Sequence, residues 1–138
     1  MINTTKPALP PLEDLNPLLV DIWKSKRLTN SSKFHNQFEQ RLKEYWKCEN
    51  VSLCSSGTTG LLIALKSLDL KGEIITSPYS FVATSHAIKM AGLTPKFVDI
   101  DLNTSNLNPE FVENAISNNT CAVLAVHSYG NPCDLDKL

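Results

Sequence analysis

Apolar positions follow two different rhythms along the chain. Between residues 12 and 46 they recur at three- and four-residue steps: Leu12, Leu15, Leu19, Ile22 and Trp23, then Phe34, Phe38, Leu42, Tyr45 and Trp46. This spacing predicts two amphipathic helices with polar opposite faces. The polar stretch from Lys24 to Ser32 lies between them, and its Thr29-Asn30-Ser31-Ser32 end predicts a loop and an N-cap. Pro17 limits where the first helix can start, and Pro7, Pro10 and Pro11 predict an extended arm over residues 2–11.

After residue 50 the rhythm changes to short apolar runs. Val51-Ser52-Leu53-Cys54 predicts a buried strand, and the run from Leu61 to Leu68 a packed helix. Gly72 breaks the chain, Glu73-Ile74-Ile75-Thr76 predicts a second strand, and residues 77–81 a turn. Residues 82–91 predict a second helix, ended by Gly92. A third strand is predicted over 95–100. Asn108 then caps a helix with Pro109 in its first turn and Glu110 and Glu113 near its positive end. The continuous apolar run 121–127 has the composition of a strand covered on both faces. Four strands alternating with three helices predict an α/β fold, a mainly parallel sheet with helices on both faces. The predicted organisation is an arm with two helices over residues 1–50 and an α/β domain over 51–138.

At 138 residues, 42% of them hydrophobic and 20% charged, the chain has the length and composition of about one globular domain. Its formal charge of −1, with no basic cluster interleaved with aromatics, argues against a nucleic-acid partner. No run approaches the roughly 20 apolar residues of a membrane span, and the first residues lack the apolar core of a signal peptide. A cytoplasmic setting without a membrane partner is therefore expected. Cys48, Cys54, Cys121 and Cys133 form no C-x-x-C pair, which predicts neither zinc nor disulfides. No metal site is expected at His35, which has no carboxylate cluster, and Asp99 and Asp101 are read as turn caps rather than ligands.

Candidate chemistry concentrates in the small-residue turn Ser55-Ser56-Gly57-Thr58-Thr59-Gly60. At a helix start the first N–H groups lack intrahelical partners, the dipole is positive, and Gly57 permits close approach to the backbone. Ser55, Ser56, Thr58 and Thr59 add hydroxyl donors, so the turn offers a seat for a phosphate; an ordinary capped turn is the plainer alternative. It is neither a Walker loop nor a dinucleotide fingerprint, because the lysine of the first and the later glycines of the second are absent. In a parallel sheet the 56–59, 79–81 and 127–130 segments would all lie beyond the carboxyl ends of strands, where ligands bind. Phe81 there suits either an aromatic ligand face or a core anchor.

These segments, in order, resemble the DegT/DnrJ/EryC1/StrS family of sugar aminotransferases, which have the fold-type I architecture and use pyridoxal 5'-phosphate (PLP). The resemblance runs through Lys6-Pro7, Leu28-Thr29-Asn30, Phe34-His35, Ser56-Gly57-Thr58, the stretch Ile75 to Thr84, Phe97-Val98-Asp99-Ile100-Asp101 and the stretch Val126 to Asp134. Gly60 departs from the Ala that relatives often carry. The resemblance implies that Ser56, Gly57, Thr58 and Thr59 hold the PLP phosphate and that Phe81 stacks on the pyridine ring. It further implies a nucleotide-linked 4-keto-6-deoxy sugar as substrate, as in viosamine-type synthesis, L-glutamate as amino donor, and a homodimer for the full-length enzyme. None of the eleven lysines matches the family's Schiff-base position and no Asp matches its pyridinium partner. The expectation is thus the N-terminal part of the large domain, inactive by itself. A standalone α/β module that binds a phosphorylated ligand or a partner without catalysis is the alternative.

Overall fold

The computed structural model describes residues 5–138, so the first residues of the expected arm lie outside the described residues. The chain divides into two compact units, the division falling between Leu53 and Cys54.

The first unit carries α1 (Leu12–Ser25) and α2 (Lys33–Trp46), preceded from residue 5 by chain without regular structure. Pro17 lies inside α1, so the helix starts earlier than the proline suggests and forgoes one backbone bond at that turn. Lys33 Nζ pairs with Asp21 at 2.8 Å. Ser32 occupies the N-cap position of α2, but its hydroxyl makes no capping bond.

The strand expected over 51–54 does not form. These residues have no ladder partner among the described residues, and the Leu53 N–H donates instead to Glu39 Oε1 at 3.2 Å. A strand is defined by its neighbour, and periodicity alone cannot supply one.

The second unit is an α/β layer. Its elements are α3 (Gly57–Ser67), β1 (Glu73–Thr76), α4 (Ala83–Met90), β2 (Thr94–Phe97), α5 (Pro109–Ala115) and β3 (Thr120–Val123). The three strands are parallel in the order β2-β1-β3. Successive residues of the central strand point to opposite faces, and both faces are covered. Ile74 packs with Leu65 of α3 and with Ala87 and Ile88 of α4, whereas Ile75 packs with Leu107 and with Val112 of α5. Helices therefore flank both faces, as the sequence predicts.

The sheet is shorter than the apolar runs because β1 has only four residues to pair with. The last ladder bonds run from Val98 N–H to Thr76 O and from Leu124 N–H to Ile75 O. Past them, the stretches expected to continue as strands to 100 and 127 lose their partner. A bulge sets Cys121 against no residue of β1, and its thiol donates to the Glu73 carbonyl at 3.2 Å. Gly72 is required where it stands: its φ is +116°, and a Cβ there would collide with the Asn119 carbonyl.

Asn108 caps α5 by accepting the N–H groups of Glu110 and Phe111, with Pro109 in the first turn, as expected. Asp101 is a turn residue: its Oδ1 accepts from the N–H groups of Asn103 and Thr104 and from the Thr104 hydroxyl. The turn it closes brings Asn106 and Leu107 into the interior.

Candidate functional site

Because the strands are parallel, Thr76, Phe97 and Val123 end on one edge of the sheet. The connection leaving β1 runs through α4 on the Ile74 face, and the connection reaching β3 runs through α5 on the Ile75 face. The first connection runs from β1 out to β2 and the second runs back across β1 to β3 on the other face, so the winding reverses between β1 and β3 and opens a crevice at their ends. A cleft of about 350 Å³ lies there, lined by Pro78–Phe81 after β1 and Val126–Tyr129 after β3.

Short polar bonds shape both rims. The Tyr79 N–H donates to Ser77 Oγ at 2.9 Å, and the Ser80 hydroxyl to the Ser77 carbonyl at 3.2 Å. Thr76 Oγ1 donates to the Leu124 carbonyl at 2.9 Å, tying the rims together at their base. The His127 Nδ1 accepts the Cys133 N–H at 3.0 Å, which places the proton of the neutral imidazole on Nε2. Burial pushes the Cys133 thiol above its ordinary value, and Cys133 Sγ contacts the Val126 carbonyl at 3.2 Å. Across the cleft, the hydroxyls of Tyr79 and Tyr129 are 2.8 Å apart. Phe81 is 78% exposed, so it is not a core anchor, and its ring is free to meet a ligand at the rim.

The second feature is the entrance to α3. The helix begins at Gly57, four residues before the apolar run that predicts it, because Ser56 caps it. Ser56 Oγ accepts the Thr59 N–H at 3.2 Å and lies 3.0 Å from the Thr59 hydroxyl, and the Gly60 N–H reaches the Ser56 carbonyl. Thus Ser56 and Thr59 satisfy each other. The N–H groups of Gly57 and Thr58, and the Thr58 hydroxyl, have no hydrogen-bond partner among the described residues. A Cβ on Gly57 would meet nothing within 4 Å, so the approach to these donors is open. Neutral donors at a positive helix end suit a phosphate monoester. The entrance does not line the cleft: of the three loops expected on one rim, the cleft takes two.

Two contributors to the site have little sequence signal. Asn106, 3% exposed, accepts the Ser128 N–H at 2.9 Å and donates to the carbonyls of Asn131 and Pro132 at 3.0 Å each. Tyr129 adopts a left-handed backbone (φ 55°, ψ 22°). The Tyr129-Gly130 pair was the available cue, since glycine commonly follows such a turn.

The chain thus combines unpartnered, unobstructed N–H groups at a helix entrance with an aromatic-rimmed cleft at the strand ends of a parallel α/β sheet. The profile of the DegT/DnrJ/EryC1/StrS aminotransferase family matches residues 12–138, and the chain belongs to that family. It is 45% identical over 137 residues to the dTDP-4-amino-4,6-dideoxy-D-glucose transaminase of Escherichia coli, covering 99% of this chain and 37% of that protein. The sugar aminotransferase CalS13 from Micromonospora echinospora superposes with a TM-score of 0.91 at 30% identity, over 100% of this chain and 37% of that one. NtdA from Bacillus subtilis, solved with bound cofactor PMP, superposes with a TM-score of 0.83 at 31% identity, over 91% and 29% of the two chains. The α/β unit is thus a fold-type I aminotransferase fold, and the chain spans just over a third of the length of the curated relative it matches.

Proposed function

We propose that this chain supplies the phosphate- and ring-binding part of a PLP site in an aminotransferase of nucleotide-sugar biosynthesis. The observation that carries the reading is the entrance to α3, where the Gly57 and Thr58 N–H groups are unpartnered and unobstructed. PLP, when bound, supplies an electron sink that lets an amino group pass from an amino acid to a carbonyl carbon. Gly57 and Thr58 would hold its phosphate through N–H donation, with Ser56 and Thr59 keeping the first turn in shape rather than donating outward. Phe81, exposed on the cleft rim, would lie against the pyridine ring and exclude water from that face.

The substrate class is part of the same proposal: a nucleotide-linked 4-keto-6-deoxy sugar as acceptor and L-glutamate as donor. Its support is the 45% identity to the dTDP-sugar transaminase. Homodimer formation belongs to it as well, supported by Leu15, Leu19 and Trp23 left exposed on α1. So does a cytoplasmic setting; among the described residues no helix is long and apolar enough to cross a membrane.

The test is calorimetric titration with pyridoxamine 5'-phosphate (PMP), which has the ring and phosphate but no aldehyde to label surface lysines. Binding that is lost with phosphate-free pyridoxamine and weakened by Phe81→Ala is the expected outcome. Equal affinity for the two amines would overturn the proposal.

A further inference from the structure

We propose that Tyr129 binds the sugar substrate directly, donating its phenol O–H to a sugar oxygen, and that Tyr79 is the positioning residue that aims it. This rests on the aminotransferase reading of the cleft. Tyr129 is a bulky residue held in a left-handed backbone, a conformation that usually falls to glycine. Burial does not offset that cost, because the residue is 89% exposed.

The strain is imposed by the buried Asn106 amide, which fixes the chain on both sides of Tyr129 through Ser128, Asn131 and Pro132. An over-determined, strained and exposed side chain at a cleft is the pattern of a residue held for a ligand rather than for the core. The partner of its hydroxyl is Tyr79 on the opposite rim, at 2.8 Å, with the rings edge to face at 6.3 Å and 62°.

Two phenols share one bond, so one O–H is committed and the other is free. Either hydroxyl can be the donor; with Tyr79 donating, the Tyr129 proton is left to point elsewhere. A single neutral O–H beside two aromatic edges suits a pyranose, whose C–H groups can pack on the rings while a carbonyl or hydroxyl oxygen accepts the proton. A cation has no acceptor lone pair to offer and would gain nothing from that proton.

The experiment is titration of the PMP-loaded protein with dTDP-4-keto-6-deoxy-D-glucose, comparing wild type with Tyr129→Phe, Tyr79→Phe and the double variant. Tyr129→Phe is expected to weaken sugar binding about tenfold, the usual loss for one hydrogen bond. Tyr79→Phe should weaken it less, and the double variant no more than Tyr129→Phe alone. PMP affinity should be unchanged in all three, which serves as the control that each is folded. Tyrosine absorbance at alkaline pH checks the bond itself: in Tyr129→Phe, the Tyr79 ionisation returns toward its ordinary value. Unchanged sugar affinity in Tyr129→Phe, or no sugar binding by PMP-loaded wild type, would overturn the inference. Failure of wild type to bind PMP would instead sink the aminotransferase reading on which it rests.

Discussion

The side-chain carbonyl of Asn106 accepts the backbone N–H of Ser128 at 2.9 Å, although 22 residues separate the two in sequence. With its amide nitrogen given to the Asn131 and Pro132 carbonyls, this one buried side chain satisfies three backbone groups of the loop that forms a cleft rim. Replacing it by Ala leaves those groups unpaired, which costs about 1–3 kcal/mol for each buried group that water cannot reach. Asn106→Asp keeps an acceptor for Ser128 but faces two carbonyls without a proton to give. Urea unfolding should place Asn106→Ala at least about 1 kcal/mol below wild type, with Asn106→Asp also destabilised. A neutral result for both would remove Asn106 as the loop's anchor.

Ile74 and Ile75 test whether the sheet is covered on both faces. Both are fully buried, Ile74 against α3 and α4 and Ile75 against α5. Each change to Ala should cost about 2–5 kcal/mol in the same unfolding experiment. In a sheet with one open face, one of the two would cost little.

Gly57 separates stability from function. Its backbone is helical and a methyl there meets nothing within 4 Å, so Gly57→Ala should leave stability unchanged or raise it by up to about 1 kcal/mol. The same methyl stands in the open approach to the unpartnered N–H groups, so PMP affinity should fall by about tenfold or more, the equivalent of one lost hydrogen bond. Parallel thermal-melt and calorimetric measurements on the variant check both halves.

The Tyr79–Tyr129 bond gives a pH dependence with a defined sign. Bonding to Tyr129 raises the Tyr79 pKa above 10.0, so the folded state holds that proton more tightly than the unfolded state does. Its contribution to stability is fully present below about pH 10 and is lost as pH rises through the raised value. Unfolding midpoints measured from pH 9 upward should fall more steeply in wild type than in Tyr129→Phe. Parallel slopes would show that the bond is absent in solution.

Much of this was legible in the sequence, and the parts that were not share a physical reason. The helical repeats of Leu12–Trp23 and Phe34–Trp46, the Asn108-Pro109 helix start and the Ile74-Ile75 core strand are all fixed by local periodicity or capping, and the structure has them. Strand length was not local. The runs 95–100 and 121–127 look longer than β2 and β3 because their pairing stops where β1 stops at Thr76. Residues 51–54 have the short apolar composition of a buried strand, yet have no ladder partner among the described residues. At the candidate site, the Ser56 cap and the glycine at 57 could be read from residue type. The division of labour could not: that Ser56 and Thr59 satisfy each other while Gly57 and Thr58 face outward depends on atomic placement. Asn106 stayed hidden because a buried Asn in a polar loop has the composition of an ordinary turn.

The most direct test of the central claim is an amide NMR titration of isotopically labelled chain with PMP. If the phosphate seats at the entrance to α3 and the ring lies against Phe81, the N–H signals of Gly57 and Thr58 should move most, and the Phe81 ring protons should shift by ring current. Saturable shifts confined to other surfaces, with Gly57, Thr58 and Phe81 unmoved, would contradict the account.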